Sequence, residues 1–243
     1  MKSFLLLFIL VLIPTSVLAA EAPGIKLDPV HVDVNDKASL QRGARLFVNY
    51  CLSCHSAAYM RYNRMGQDLG ISDEMVVQNL MFAGDKVGDL MTVSMQPKDA
   101  KKWFGTPPPD LTVISRARGP QWIYNYLRSF YREEKWPGRW NNAVFPNVAM
   151  PHVLYRLQGT QRAVFETRKD GTKFIAKFEM QQPGTMDKAE YDAAMRDLTN
   201  FLVYLGEPAK LVRYRLGLYV LAFLVIFFVV VYLLKKEYWK DVH

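Results

Sequence analysis

Cysteine and histidine are scarce in this 243-residue chain, which has two of the first and four of the second. A scaffold stapled by several disulfides is excluded, and so is a four-cysteine zinc site. Charged residues make up only 22% and hydrophobic ones 50%, the wrong balance for a disordered chain. The 14 glycines and 13 prolines are scattered, which excludes a collagen-like fibre and a simple coiled coil. Internal repeats and low-complexity stretches are missing, and long apolar runs are confined to the two ends. Basic residues exceed acidic ones by 31 to 23, a formal charge of +8. They form no stripe, and many fall between Lys98 and Arg139, so the excess does not argue for nucleic acid.

The first apolar run follows Met1-Lys2-Ser3 and extends unbroken from Phe4 to Ile13. Pro14 breaks it, and Ala19-Ala20 supplies small residues for cleavage. This is the pattern of a secretory signal over residues 1–20, because ten apolar residues are too few to cross a bilayer. The second run, Leu216 to Leu234, has nineteen residues and no charge. As a helix it reaches about 28 Å, the width of a bilayer core. Arg213 and Arg215 precede it, Lys235 and Lys236 follow it, and Tyr232, Tyr238 and Trp239 lie at interfacial positions. The flanking charges balance, so orientation follows from the signal: the body is exported and the C-terminus stays in the cytoplasm. A membrane anchor with a short tail is therefore expected over 211–243.

Residues 21–210 are expected to form one domain. A helix is expected from Lys37, with Leu40, Ala44, Phe47 and Val48 on one face. Gly43 inside it weakens the helix unless another backbone comes close. Val76 to Phe82 reads as a short buried helix, Trp103 to Asp110 as a proline-rich loop, and Trp122 to Tyr131 as an aromatic helix. Around Asp170-Gly171, alternating residues between Ala163 and Met180 predict a hairpin. Asp187 and Glu190 form a capping-box pattern ahead of Tyr191, Met195, Leu198, Leu202 and Leu205. Gly206 and Pro208 interrupt the chain before the anchor. The fold class is mainly α with one inserted β-hairpin.

Both cysteines lie in Cys51-Leu52-Ser53-Cys54-His55, a C-x-x-C-H motif and the attachment signature of c-type haem. The two thiols stand about one helical turn apart, so each can form a thioether to a haem vinyl group, and His55 then meets the iron. A thioredoxin-like pair opens a helix after a strand, whereas this pair ends one. A zinc site lacks ligands. The ligand opposite His55 decides whether the iron is open or carries electrons. His31 is in the entry segment and His243 is the terminus, which leaves His152 and eleven methionines. Met150 stands out in Phe145-Pro146-Asn147-Val148-Ala149-Met150-Pro151, where Pro151 favours an extended backbone. By spacing alone Met150 and His152 both remain candidates, and core packing is the ordinary role of a methionine.

The C-x-x-C-H motif is followed by Pro108-Pro109-Asp110-Leu111, Arg116-Ala117-Arg118, Ala149-Met150-Pro151 and a single C-terminal anchor. In that order and spacing the mature chain resembles the cytochrome c1 family, the haem c subunit of the cytochrome bc1 (ubiquinol–cytochrome c reductase) complex. The resemblance implies a cytochrome c-like haem domain carrying one haem c, covalent through Cys51 and Cys54, with His55 and Met150 as iron ligands. It implies that Arg118, with Arg116 second, pairs with a haem propionate, and that Pro108 to Leu111, Pro109 among them, packs against the haem. A disulfide found in some relatives cannot form here, for want of a further cysteine pair. The implied activity is one-electron relay from a Rieske iron–sulfur protein to a cytochrome c, beside cytochrome b, with the domain in the periplasm of a bacterial inner membrane. Five acids (Asp68, Asp73, Glu74, Asp85, Asp89) against Lys86 between Gly66 and Leu90 could steer a basic cytochrome c or form an ordinary solvated face. Two rival functions are a free-standing anchored monohaem cytochrome and a membrane-tethered thiol-disulfide oxidoreductase.

Overall fold

Helix α1 (Lys37–Tyr50) starts where Asp36 accepts a hydrogen bond from the Ser39 amide, and it buries Leu40, Ala44, Phe47 and Val48 as the helical spacing requires. It belongs to a computed structural model that describes residues 25–133 and 140–241. The expected signal at 1–20 lies outside the described residues. Three short helices follow: α2 (Tyr62–Leu69), α3 (Asp73–Asn79) and α4 (Pro97–Phe104). Next come α5 (Ile114–Arg118), α6 (Pro120–Arg128) and α7 (Tyr155–Gln158), then the long α8 (Lys188–Gly206) and α9 (Lys210–Tyr238). Three antiparallel two-stranded ladders pair β1 (Ala57–Arg61) with β2 (Leu90–Met91), β3 (Phe130–Arg132) with β4 (Trp140–Asn142), and β5 (Gly159–Thr167) with β6 (Lys173–Pro183).

The core is set by α1 packed across α8. Phe47 meets Phe201 with ring centroids 5.5 Å apart, and Leu40, Met195 and Leu198 fill the same layer. Gly43 is required at the crossing. A Cβ there would run into the Asp197 carbonyl oxygen and come within 2.7 Å of the Phe201 Cβ. Arg42 beside it makes a two-pronged pair with Asp197, at 2.5 and 3.1 Å. The capping box at α8 is complete in both directions, Glu190 amide to Asp187 and Asp187 amide to Glu190. Tyr191 donates to the Leu127 carbonyl and ties α8 to α6.

Several boundaries differ from the sequence expectation. The helix expected at Val76–Phe82 is α3, which begins earlier because Ser72 caps it and Asp73 and Glu74 occupy its first turn. Only Val76 of α3 is buried, and Phe82 is exposed. Trp103 belongs to α4, and the proline loop starts after Gly105, whose φ of +78° ends that helix. The aromatic helix stops at Arg128, so Phe130 is a strand residue, although it still meets Tyr126 edge-on at 5.1 Å. The hairpin is longer than Ala163–Met180, with bulges between Thr160 and Gln161 and between Val164 and Phe165. Its turn places Gly171 at φ +86°.

After the break at Gly206 and Pro208, α9 runs 29 residues, about 43 Å. The most apolar 18-residue window within Val212–Tyr238 has a mean hydropathy of 2.9, and none of that window is buried against the domain. Such an exposed apolar surface is stable against lipid or other apolar helices.

Candidate functional site

Where α1 ends, the Cys54 and His55 amides both donate to the Cys51 carbonyl, 3.0 and 2.8 Å, and curl the C-x-x-C-H segment into a tight turn. The Leu111 amide donates to the Ser56 carbonyl at 2.8 Å. Asp110 accepts from the Ala58 and Thr112 amides, both at 2.8 Å. These bonds lay the proline loop against the motif, and the Pro109 carbonyl ends 2.7 Å from His55 Nδ1. A carbonyl only accepts, so Nδ1 carries the hydrogen and Nε2 keeps its lone pair when the ring is neutral. Burial holds the His55 pKa below the ordinary value, against the smaller opposing effects of the Pro109 carbonyl and Asp110. At neutral pH the ring is uncharged and suited to a metal.

These residues line a cavity of 470 Å3, within the roughly 300–1,000 Å3 of cofactor sites. Its walls are almost wholly apolar, with Leu198 and Leu202 from α8 and Ile123 and Leu127 from α6. Cys51, Cys54, His55, Pro109, Arg118 and Met150 all reach it. Arg116 does not; its Cγ lies beside Gly206 at the end of α8. Arg118 is an exposed cation that makes no ion pair with a described residue. Its guanidinium carbon is 5.1 Å from the Trp122 ring centroid and 5.8 Å from that of Phe145.

Met150 and His152 differ in their surroundings. Met150 faces the cavity, and the Tyr126 hydroxyl donates to its Sδ at 3.3 Å. Tyr126 is mostly buried, which pushes its phenol well above the ordinary pKa and keeps the donor proton in place. His152 is turned away from the cavity, stacked on Phe130 at 4.9 Å and edge-on to Trp140 at 5.0 Å. Burial drops its pKa to about 4, so it is a neutral core ring. His31 is exposed on the entry segment, and His243 lies outside the described residues.

Three residues that sequence reasoning missed build the Met150 loop. Asn142 Oδ1 accepts from Ser129 Oγ and from the Val144 and Phe145 amides, and its Nδ2 donates to the Tyr126 carbonyl at 2.7 Å. Asn141 Oδ1 accepts from the Asn147 amide at 2.8 Å, which holds Asn147 in the left-handed conformation at φ +63°. Tyr126 is the third. The only sequence signals were a polar Asn-Asn pair in an apolar stretch and the Trp122–Tyr126–Phe130 spacing.

The thiol-redox reading finds no support in the local chemistry. Burial, with a smaller push from Cys54, takes the Cys51 thiol up to about 12. A reactive thiol needs the opposite shift and a helix N-terminus, whereas this pair follows a C-terminus. Among the described residues no group of three or more His, Cys, Asp or Glu could hold a metal ion by itself. None of the five acids between Gly66 and Leu90 lines the cavity. Two of them hold structure: Asp68 binds Arg64 and Tyr204, and Asp89 accepts the Asp85 and Lys86 amides.

A family model described as the cytochrome C1 family matches residues 30–242. A cytochrome c1 from Allochromatium vinosum is 50% identical over all of both chains. A protein from Nitrosomonas europaea described as an ammonia monooxygenase gamma subunit is 46% identical, also over all of both chains. A cytochrome c1 from Rhodospirillum rubrum is 27% identical over 85% of this chain and 83% of its own. The site passes the test that such a group would set: an apolar cavity of cofactor size, two thiols outside any disulfide, a nitrogen and a thioether on its lining, and a cation that has no ion pair among the described residues. The chain belongs to the cytochrome c1 family, membrane-anchored electron-transfer subunits of the bc1 complex that carry a covalently bound haem c.

Proposed function

We propose that this chain takes single electrons from a Rieske iron–sulfur subunit and passes them to a cytochrome c, working beside cytochrome b with its haem domain in the periplasm. The observation that carries the reading is the convergence of Cys51, Cys54, His55, Met150 and Arg118 on one apolar cavity. The bound haem supplies a one-electron iron centre whose potential a thioether ligand raises. The chain's own residues do the rest. Cys51 and Cys54 would hold the group as thioethers, so that an exported protein does not lose it. His55 offers Nε2, oriented by the Pro109 carbonyl, and Met150 offers Sδ from the lining of the same cavity. Arg118 would neutralise a propionate whose burial otherwise costs energy. Arg116, beside Gly206, is left to the surface. Leu198, Leu202 and the α6 side chains exclude water. No acid, base or nucleophile is required, because the protein sets potential, burial and docking.

The export pattern at residues 1–20 supports a domain over 21–210 outside the cytoplasm of a bacterial inner membrane, with 211–243 as anchor and cytoplasmic tail. Asp73, Glu74 and Asp85, which are exposed, remain available to steer a basic cytochrome c. A second reading, a subunit serving another membrane oxidoreductase, is favoured only by the description of the Nitrosomonas europaea relative. The test is quinol-driven reduction in membranes carrying the chain. Wild type should show c-type haem reduced by quinol and then oxidised by added cytochrome c. Met150→Leu should keep its covalent haem and lose that transfer. Unchanged transfer and spectrum in Met150→Leu would contradict the ligand assignment.

A further inference from the structure

We propose that Tyr126 is a positioning residue for Met150: its hydroxyl holds one lone pair of the thioether, leaves the other for iron, and thereby tunes the sulfur–iron bond. The proposal rests on the reading of Met150 as the axial ligand. It starts from the 3.3 Å hydrogen bond between the Tyr126 hydroxyl and Met150 Sδ, in a cavity whose walls offer few other polar partners.

Both partners are held rigidly, and by a shared residue. The Tyr126 ring stacks on Trp122 with centroids 4.9 Å apart and planes 10° off parallel, and Phe130 meets it edge-on. Asn142 donates to the Tyr126 carbonyl while its own Oδ1 accepts the Val144 and Phe145 amides at the start of the Met150 loop. Tyrosine and methionine are therefore fixed relative to one another through backbone as well as side chain. Trp122 also carries the Arg118 guanidinium on its ring, so one face of α6 supports both the thioether and the cation.

A thioether sulfur has two lone pairs and is a weak acceptor. A donor on the second pair draws electron density from sulfur, and oxidised iron needs that density more than reduced iron does. The hydrogen bond therefore favours the reduced state, and its loss favours the oxidised one. A hydrogen bond of ordinary net strength changes an equilibrium constant by a factor of about two to ten. The bare alternative is a tyrosine that caps a core with whichever acceptor is near, and it predicts no electronic effect.

The experiment compares wild type, Tyr126→Phe and Met150→Leu as full-length haem-loaded protein in detergent. Three readouts are taken: the far-red sulfur-to-iron charge-transfer band, a spectroelectrochemical titration, and displacement of the thioether by imidazole. Tyr126→Phe keeps the ring and its stacking, so covalent haem and the band should persist. At the wild-type midpoint its reduced-to-oxidised ratio should fall about two- to fivefold, and imidazole, which must displace a more strongly held thioether from oxidised iron, should bind about fivefold less tightly. An unchanged ratio and unchanged imidazole affinity would overturn the proposal while leaving the ligand assignment intact. A band absent from wild type, or one surviving in Met150→Leu, would overturn the ligand assignment and the proposal with it.

Discussion

Replacing Gly43 by alanine sets helix propensity against packing, and the two predict opposite signs. Propensity alone favours alanine in a helix interior by about 1 kcal/mol. Packing opposes it. The new methyl would sit 2.7 Å from the Phe201 Cβ and collide with the Asp197 carbonyl oxygen. Carbon contacts prefer about 3.5–4.0 Å, so relief requires α1 and α8 to separate by about 1 Å. Neither obstacle can rotate away, since one is backbone and the other is a Cβ. Overpacking of this kind costs about 3 kcal/mol, which leaves a net loss of about 2 kcal/mol. For a domain of this size that lowers the melting temperature by roughly 4–8 °C. The assay is thermal unfolding of the full-length protein in detergent, followed by near-ultraviolet circular dichroism. Cys51 follows α1 directly, so the yield of covalently attached haem should fall as well. A melting temperature equal to or above wild type would refute the close-crossing argument.

Arg128→Ala removes the clasp between Asp28 of the entry segment and Asp192 of α8, and should cost roughly 2 kcal/mol in thermal unfolding because Asp28 loses its ion pair and Asp192 keeps only the exposed Lys188. The same clasp sets an acid dependence. Burial alone would raise the Asp192 pKa, but Arg128 and Lys188 more than offset it and hold it below 3.8. A depressed carboxylate pKa contributes stability that is present above the unfolded value and lost as the pH falls through the folded one. Wild type should therefore lose melting temperature between roughly pH 5 and pH 2, and Arg128→Ala should show a flatter profile there. Asn142→Ala orphans the Val144 and Phe145 amides that Asn142 Oδ1 serves and leaves the Ser129 hydroxyl only a long bond to the Tyr126 carbonyl, at a cost of about 3 kcal/mol, and should weaken the sulfur-to-iron band by loosening the Met150 loop. Cys51→Ala and Cys54→Ala should each reduce haem stain after denaturing electrophoresis, and the double variant should abolish it.

The attachment motif was legible because its chemistry demands five consecutive residues. The α1 and α8 cores were legible because a 3.6-residue period survives in the sequence. Gly43 was readable for the same reason, as a residue with a propensity penalty that only a close neighbour explains. Tyr126 and Asn142 were not, because their roles exist only across the fold. Tyr126 meets a sulfur 24 positions away, and Asn142 reaches back 16 positions to the Tyr126 carbonyl. Met150 and His152 could not be separated by spacing, since burial direction is a tertiary property: one faces the cavity and the other stacks on Phe130. The start of α3 was written in Ser72-Asp73-Glu74, a cap signal that the apolar reading of Val76–Phe82 passed over. Ladders of two or three residues, such as β1–β2 and β3–β4, are too short to carry a period.

The central claim is that this chain relays electrons as a haem-bearing subunit of a quinol-oxidising complex. It is tested most directly by purifying the protein through a C-terminal tag in mild detergent and recording reduced-minus-oxidised spectra of whatever comes with it. The account predicts a covalent c-type haem together with b-type haem, an iron–sulfur protein and quinol–cytochrome c reductase activity. A lone chain with c-type haem and no b-type signal would contradict it and leave a free-standing anchored cytochrome.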